Sequence, residues 1–386
     1  MPFISAGDGD LKSAFITDAW LIDQFVGNRL WAVGGGGFGE LGINLATTRS
    51  SPVQTIAGGV TWSKISATLH VASIKTDATL WVWGNNGSGQ LGDNTISNKS
   101  SPIQTMTFAN NWQQASAGYN NTCAIKTDGT LWCWGSNSFG EIGDNTTVGK
   151  SSPVQTVSAG NNWKQVSSGN NLTAAVKTDG TLWTWGYSGS GALGNNVGFD
   201  RKSSPIQTIA GGTNWTSVTC SFASTIAAIK ADGTLWMWGD NSSGGLGDNT
   251  ITNRSSPVQT VTFATTWKQV SCGAYHTAAI KTDGTLWMWG QNSNGQLGDN
   301  TITHRSSPIQ TISGGNNWKQ VSCGQYFTAA IKTDSTLWSW GFNTSGRLGD
   351  GTIVHRSSPV QIVSGGTTWK QVAGGRDCII AVTYGD

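Results

Sequence analysis

A glycine-rich stretch near residue 90 has the spacing of a nucleotide-binding loop. Residues 87–92 read GSGQLG, a Gly-x-Gly-x-x-Gly pattern. In dinucleotide-binding folds such a loop brings backbone amides close to a pyrophosphate where a strand leads into a helix. The pattern recurs at 37–42 and 189–194, and four other units carry related stretches at the equivalent place. Every copy follows a predicted strand but leads into a polar loop, so the motif predicts a repeated turn and no cofactor.

The four histidines occupy repeated positions instead of forming one catalytic group. His70 and His276 begin the same predicted strand in two units, and His304 and His355 share a second position. Residues duplicated in this way rarely build a single active site, and the sequence shows no nucleophile–base pair and no unique pair of acids. The chain is therefore predicted not to be an enzyme.

The six cysteines lack the spacing of a zinc site or of a disulfide scaffold. Cys220, Cys272 and Cys323 each follow a tryptophan by five residues, so they are predicted to be buried, reduced packing thiols. The Gly-Asp-Asn loops have side chains that suit calcium, but their acidic groups are not clustered. Capping of turns by aspartate is the favoured interpretation, and no metal is predicted.

The glycine motif belongs to a repeat with steps of 50 to 53 residues. LWxWG begins at residues 80, 131, 182, 235, 286 and 337, with the related LWAVG at 30. Two further markers, SSP[VI]Q and a tryptophan followed three residues later by an aliphatic residue, also occur seven times. Together they account for 20 of the 21 tryptophans and seven of the eight prolines, so the unusual composition is a property of the repeat.

Each unit contains four short segments with strand patterns. In the unit from Trp267 these are WKQVSC, HTAAIKT, TLWMWG and SPIQTI, and Asp283-Gly284 between the second and third predicts a type I′ hairpin. No segment of the repeat unit sustains helical periodicity. Four antiparallel strands repeated seven times predict an all-β, seven-bladed β-propeller.

Residues 273–299, GAYHTAAIKTDGTLWMWGQNSNGQLGD, resemble the repeat of the RCC1 (regulator of chromosome condensation) propeller family. The resemblance covers roughly residues 30–384. Kelch repeats have a similar period, but the order HT…DG…LWxWG…GQLG fits the RCC1 repeat better. The last unit supplies strands one and two, and the first unit supplies strands three and four. One blade shared between the termini is therefore predicted, and the resemblance implies the same closure.

Residues 1–28 are predicted as a separate N-terminal segment, with the propeller at 29–386. Within 11–28, apolar residues fall near helical spacing, yet AWLIDQFV followed by Gly27-Asn28 equally suits a hairpin strand. The segment either packs on the propeller rim or docks a partner or assembly. The N-terminus does not resemble a Sec signal peptide, and no apolar run approaches the roughly 18 residues of a membrane span.

The charge pattern gives no support for a nucleic-acid or membrane partner. The net charge is +2, and charged residues make up only 11% of the chain. Basic residues precede the Ser-Pro element in every unit, at Arg49, Lys99, Lys150, Lys202, Arg254, Arg305 and Arg356. Aspartates of the Gly-Asp-Asn loops lie in the same loops, so ion pairing or plain solvation is the favoured interpretation, and nucleic-acid binding is not expected.

The loops from strand one to two and from strand three to four lie on one predicted face and vary among the units. The KTDGT turn from strand two to three lies on the other face and is nearly uniform. Variation that includes aromatic residues suggests a recognition surface; unrestrained drift of exposed loops is the alternative. The predicted partner-binding residues are Tyr119, Asn120, Phe139, Tyr187, Asp240, Tyr275, His276, Gln291, Tyr326, Phe327, Phe342 and Arg376.

The combined pattern predicts a non-catalytic recognition or structural propeller that binds a protein or glycan through these loops. We expect a surface or virion component, such as a phage decoration or tail-fibre protein, and favour a virion or extracellular location over the cytoplasm. The resemblance implies an alternative, an intracellular small-GTPase exchange factor or chromatin binder. That role calls for an inserted wedge loop or a basic tail, which the sequence lacks.

Overall fold

The structure is a computed structural model that describes residues 27–384 apart from 57–60, 108, 158–159, 210–211, 262–263, 313–314 and 364–367. The described residues form 28 strands and no helix, and none lies in a helix able to cross a membrane. The strands make seven four-stranded antiparallel sheets, which confirms the predicted all-β, seven-bladed propeller. Most of the N-terminal segment 1–28, including the choice between helix and strand for 11–28, lies outside the described residues.

Blades 2 to 7 each use four consecutive strands, and blade 1 takes two strands from each end of the chain. Blade 1 comprises β27 (Trp369–Gly374), β28 (Cys378–Thr383), β1 (Leu30–Gly34) and β2 (Arg49–Gln54). Blade 2 comprises β3 (Trp62–Ala67), β4 (His70–Lys75), β5 (Leu80–Gly84) and β6 (Lys99–Gln104). Blade 3 comprises β7 (Trp112–Ala117), β8 (Asn121–Lys126), β9 (Leu131–Gly135) and β10 (Lys150–Gln155). Blade 4 comprises β11 (Trp163–Ser168), β12 (Leu172–Lys177), β13 (Leu182–Ser188) and β14 (Asp200–Gln207).

The remaining blades follow the same plan. Blade 5 comprises β15 (Trp215–Cys220), β16 (Thr225–Lys230), β17 (Leu235–Gly239) and β18 (Arg254–Gln259). Blade 6 comprises β19 (Trp267–Cys272), β20 (His276–Lys281), β21 (Leu286–Gly290) and β22 (Arg305–Gln310). Blade 7 comprises β23 (Trp318–Cys323), β24 (Phe327–Lys332), β25 (Leu337–Gly341) and β26 (Arg356–Gln361).

The first strand of each blade lines a central channel, and the fourth lies at the outer edge. In blade 1 the order is β27-β28-β1-β2, with Leu30 opposite Val382 and Gly34 opposite Cys378. This pairing confirms that a blade shared between the two termini closes the ring. Loops from strand one to two and from three to four lie on one face, here called the loop face. The opposite, turn face carries the turns from strand two to three.

The turns of the turn face are not of the predicted type. The amide of Gly284 donates to the carbonyl of Lys281 at 3.0 Å, and φ is positive at Gly284 but not at Asp283. Ala78 and Ser335, which replace this glycine in two blades, also have φ near +61° and +62°. A type I′ turn needs positive φ at both central residues, so the prediction was wrong: each is a type I turn followed by one left-handed residue.

The glycine motif that opens the sequence analysis joins neighbouring blades. A Cβ at Gly92 would lie 2.6 Å from the indole nitrogen of Trp134 in blade 3, and Gly92 has φ +65°. Gly89 has φ +78°, and a Cβ added there would lie 2.7 Å from the Cα of Ser151. Trp134 Nε1 donates to the carbonyl of Gln90 at 2.9 Å, and Leu91 is fully buried. The loop therefore forms a socket for the tryptophan of the next blade. Positions 89 and 92 require glycine, because a side chain would clash with that blade and φ is positive at both.

Most of the basic residues before the Ser-Pro elements form ion pairs, which is one of the two roles expected for them. Six of them lie 2.7–3.7 Å from an aspartate: Lys99, Lys150, Lys202, Arg254, Arg305 and Arg356. The aspartates also cap their own loops; Asp93 accepts hydrogen bonds from the Thr95 amide and hydroxyl at 3.1 and 2.8 Å. Within the described residues no group of three metal-ligating side chains occurs. The Asp-to-Thr hydrogen bonds are the turn capping that the sequence predicts, and they recur in five blades.

The cysteines follow the prediction with one addition. Cys220, Cys272 and Cys323 are buried and free, as is Cys378. Burial raises the pKa of Cys220 and Cys323 to about 12, so these thiols stay protonated. Cys123 and Cys133 lie opposite each other on β8 and β9 and form a disulfide, which the sequence analysis did not anticipate.

Candidate partner-binding face

The residues predicted to bind a partner lie on the loop face or at the strand ends beside it. Ten are half-buried, whereas His276 and Phe327 are only 1% and 0% exposed. His276 Nε2 lies 3.1 Å from the hydroxyl of Thr328 in blade 7, and burial lowers the pKa of His276 to about 4. Both side chains support the loops from inside, so neither is exposed at the surface of the loop face in this structure.

Four side chains from distant parts of the sequence meet on the loop face. They are Tyr119, Tyr275, Tyr326 and Arg376, here called the central cluster. Arg376 Nη1 lies 3.4 Å from the hydroxyl of Tyr119, although these residues belong to blades 1 and 3. Burial, and then the hydroxyls of Tyr275 and Tyr119, raise the pKa of Tyr326. Tyr326 therefore remains neutral, and its hydroxyl can donate and accept hydrogen bonds near the Arg376 guanidinium.

Backbone hydrogen bonds between blades fix the loops that carry the central cluster. The Tyr119 amide donates to the carbonyl of Gly169 at 3.1 Å, and the Arg376 amide donates to the carbonyl of Thr68 at 2.9 Å. The amides of Ala274 and Gln325 make similar bonds towards the next blade. Beneath the loops, Tyr119 and small side chains of the first strands line a cavity of about 120 Å³. The cluster is thus held in place before any partner arrives.

A buried arginine supports the cluster from blade 7. Arg347 is 3% exposed, and its Nη1 lies 3.0 Å from Asp377, which also pairs with Arg376 at 2.8 Å. The Arg347 guanidinium lies 4.6 Å from the ring centroid of Phe342, and Phe342 packs edge-on against Tyr326. Sequence reasoning missed Arg347; the signal was that it is the one cation at the x position of GxLG.

A second aromatic group lies further out, between blades 3 and 4. The ring centroids of Phe139 and Tyr187 are 4.9 Å apart, and Phe199 packs on Tyr187 at 5.5 Å. Arg201 lies 4.8 Å from the Phe139 ring. Phe199 remains 65% exposed. The sequence analysis found Phe139 and Tyr187 but missed Phe199, at the end of the third-to-fourth loop of blade 4, and Arg201, near the start of β14.

The three remaining predicted residues have different settings. Asp240 shares a small recess with Tyr275, and its carboxylate accepts hydrogen bonds from the Ser242 amide and hydroxyl. Asn120 adjoins Tyr119 in the same loop. Gln291 accepts a hydrogen bond from Gln296 at 3.4 Å within blade 6. The Gln291 amide also donates to the carbonyl of Tyr275 at 2.8 Å, which joins Gln291 to the central cluster through the backbone.

Seven like blades, closed by pairing of the chain ends, define a repeat β-propeller whose loop face gathers tyrosine and arginine. A family model for the RCC1-like domain matches residues 29–381. The chain therefore belongs to the RCC1-like domain family, as the repeat resemblance indicated.

Two curated relatives from Arabidopsis thaliana are similar over much of the chain. The ultraviolet-B receptor UVR8 is 32% identical over 248 residues, 63% of this chain and 56% of the receptor. The mitochondrial RCC1 domain-containing protein RUG3 is 29% identical over 248 residues, 62% of this chain and 55% of that protein. The chain thus spans about half the length of the curated relatives it matches.

Among solved structures, Prp20p from Saccharomyces cerevisiae superposes with a TM-score of 0.81 at 17% sequence identity, covering 94% of this chain and 92% of that one. At this identity the likeness shows the shared fold alone.

Proposed function

We propose that this chain is a non-catalytic binding module whose partner is a protein that docks on the central cluster. The observation that carries the proposal is the contact between Arg376 and Tyr119 on loops already fixed by backbone hydrogen bonds. Tyrosine and arginine are enriched among the residues that dominate binding energy at interfaces, and pre-ordered loops lower the entropy cost of docking. The Prp20p structure is described with binding to Gsp1p and histones, which supports a protein partner for this fold.

The outer aromatic group extends the proposed contact surface. Phe199 is the most exposed aromatic residue there, and Arg201 lies over the neighbouring Phe139 ring. A partner that covers both groups would bury aromatic surface around a guanidinium at two points. A glycan remains the other ligand class proposed for this face, and the experiment below separates it from a protein.

The setting in which the module acts is a separate proposal. The low content of charged residues and the similarity of the repeats support a surface or virion component, with residues 1–28 as an assembly anchor. The observation that favours an intracellular regulator instead is the similarity to UVR8 and RUG3. Deletion of residues 1–28 should abolish incorporation into particles if the first setting holds and leave binding by the loop face unchanged.

Variants that remove the central cluster test the docking proposal. Tyr326→Ala and Arg376→Ala should each weaken partner binding at least about tenfold, because each removes a side chain of hot-spot type. Met106→Ala is the matched control, since Met106 is 47% exposed on the link that lies on the turn face. Partners are captured by crosslinking to the wild type, and their affinity is then measured for each variant.

The outcomes are distinct. Equal binding by the wild type and both cluster variants, or an equal loss with Met106→Ala, would contradict docking on the central cluster. Saturable binding on a glycan array that Arg376→Ala removes, without any protein captured, would replace the protein partner by a glycan.

A further inference from the structure

On the turn face, six blades hold a lysine between two tryptophans. In blade 2, Lys75 Nζ lies 4.8 Å from the Trp62 ring centroid and 4.1 Å from that of Trp81. The same arrangement, at 4.1–5.1 Å, recurs with Lys126, Lys177, Lys230, Lys281 and Lys332. A cation near an indole face is attracted by the ring quadrupole. Each of these blades therefore supplies its own cation to a two-tryptophan cage.

Blade 1 keeps the walls of this cage but has a different residue at the lysine position. Thr383 lies opposite Trp369, where Lys75 lies opposite Trp62 in blade 2. The ring centroids of Trp31 and Trp369 are 6.4 Å apart with an interplanar angle of 73°. The corresponding values for Trp62 and Trp81 are 6.4 Å and 79°. The cage geometry is thus preserved although threonine is uncharged and shorter than lysine.

The hydrogen bonding of the outer tryptophan also changes in blade 1. In blade 2, Trp81 Nε1 donates to the hydroxyl of Thr79 at 2.9 Å, and five other blades repeat this bond. In blade 1 the residue at this position is Arg29, and Trp31 Nε1 is buried without a hydrogen-bond partner among the described residues. The Trp31 indole N–H therefore lacks the internal acceptor that the outer tryptophans of the other six blades have.

The chain around the cage favours a particular kind of cation. In blade 2 the turn carries Asp77, whose charge acts on Lys75; among the described residues of blade 1, no turn from strand two to three carries such an aspartate. The nearby Lys319 donates to the hydroxyl of Tyr384 at 2.9 Å. A cation whose charge is spread over apolar groups suits a site walled by two indole rings. Quaternary ammonium groups meet that need, because their charge is spread over methyl groups that pack on aromatic faces.

We propose that Trp31 and Trp369 form a binding site for an external quaternary ammonium group, as in choline or a trimethylated lysine side chain. The ligand's methyl groups take the place that the lysine ammonium occupies in the other blades. The site lies on the turn face, opposite the central cluster, so it is independent of the proposed partner surface and either proposal can fail alone.

Titration of the full chain with choline chloride, followed by calorimetry, tests the site. The wild type should bind one choline per chain, and the neutral isostere 3,3-dimethylbutan-1-ol should bind at least about tenfold more weakly. Thr383→Lys installs the residue of the other six blades and should abolish binding without loss of folding. Lys75→Thr is the converse variant and should raise the stoichiometry from one choline to two.

Four results would overturn the proposal. They are no saturable binding of choline to the wild type, undiminished binding by Thr383→Lys, equal binding of the neutral isostere, and an unchanged stoichiometry in Lys75→Thr. Titration with N-trimethyl-lysine and with lysine distinguishes the sources of the cation; the methylated form should bind at least about tenfold more tightly, since unmodified lysine retains a strongly hydrated ammonium.

Discussion

The turn face and the loop face are built from the same strands, yet the turn face repeats one side-chain arrangement in six blades, whereas the first-to-second loops of the loop face differ from blade to blade. Lysines such as Lys75 and Lys281 lie over equivalent tryptophan pairs in six blades. On the loop face, equivalent loops carry Tyr119, Tyr275 and Arg376. Backbone hydrogen bonds between blades hold these loops, so their side chains are released from a structural role. The difference shows how one fold keeps its shape while the loops proposed to bind a partner vary from blade to blade.

The largest expected change in stability comes from two buried histidines that lie beneath the loop face. Burial lowers the pKa of His70 to about 3 and that of His276 to about 4, whereas an unfolded histidine titrates near about 6.5. Below that pH the unfolded chain binds protons that the folded chain does not, so stability falls as the pH drops. At pH 5 the expected loss relative to pH 7 is about 2 kcal/mol per histidine.

The double variant H70N/H276N tests this pH dependence. Blade 3 has Asn121 at the same position, 2% exposed, so the fold accommodates asparagine there. Urea unfolding at pH 7 and pH 5 should show a much smaller loss for the variant than for the wild type. An equal loss in both would mean that the histidines are not neutral in the folded protein.

The second-largest expected loss of stability comes from substitutions in the glycine sockets of the loop face. Gly92→Ala places a Cβ within 2.6 Å of Trp134 at a φ of +65°, so it should lower the free energy of unfolding by about 2–4 kcal/mol. Gly87→Ala is the control in the same motif, because the nearest atom to its Cβ lies 3.9 Å away. Denaturant midpoints measure both; similar shifts would show that the socket is not what fixes the loop.

Arg347 lies in a third-to-fourth loop and contacts Asp377 in the first-to-second loop that carries Arg376. Arg347→Gln introduces the residue that blades 2 and 6 carry as Gln90 and Gln296, and it removes a buried partner of Asp377. The expected loss of stability is about 2 kcal/mol, below that of a fully orphaned charge, because Arg376 still pairs with Asp377. Arg376→Gln is the comparison variant and should cost under about 1 kcal/mol. Thermal unfolding measures both variants, and equal losses of stability would contradict this account.

The smallest expected effect concerns the turn face. Lys177→Met removes a cation that lies 4.8 and 4.5 Å from the rings of Trp163 and Trp183, and it should cost about 1 kcal/mol. Lys164→Met in the same blade changes an exposed lysine and should change stability by less than about 0.5 kcal/mol. Urea unfolding of the pair provides the measurement. A loss as large for Lys164→Met would remove the structural role assigned to the lysine cages.

The fold was predictable because each blade repeats the same markers in the same order. Trp83, Trp134 and the glycines of GxLG serve one packing purpose that recurs in six blades, so the sequence carries the signal repeatedly. The turn type was not predictable from Asp283-Gly284, since that dipeptide also suits a left-handed residue after a type I turn. The disulfide required knowing that Cys123 and Cys133 lie opposite each other, which depends on strand register.

The site was predictable only in part. Loop positions were found by comparing units, but the depth of His276 and Phe327 depends on how strand two enters the core. The contact between Arg376 and Tyr119 joins residues 257 apart in sequence. It exists because ring closure brings blades 1 and 3 to the same channel mouth, and no local pattern encodes that distance.

Hydrogen exchange of the full chain with and without its captured partner tests the central claim most directly, because both faces are read in one experiment. Docking on the central cluster predicts slower exchange in the loops at 118–120, 274–275, 325–326 and 375–377, and unchanged exchange in the turn-face residues 76–78, 127–129 and 282–284. Protection of the turns, with the four loops unaffected, would contradict it.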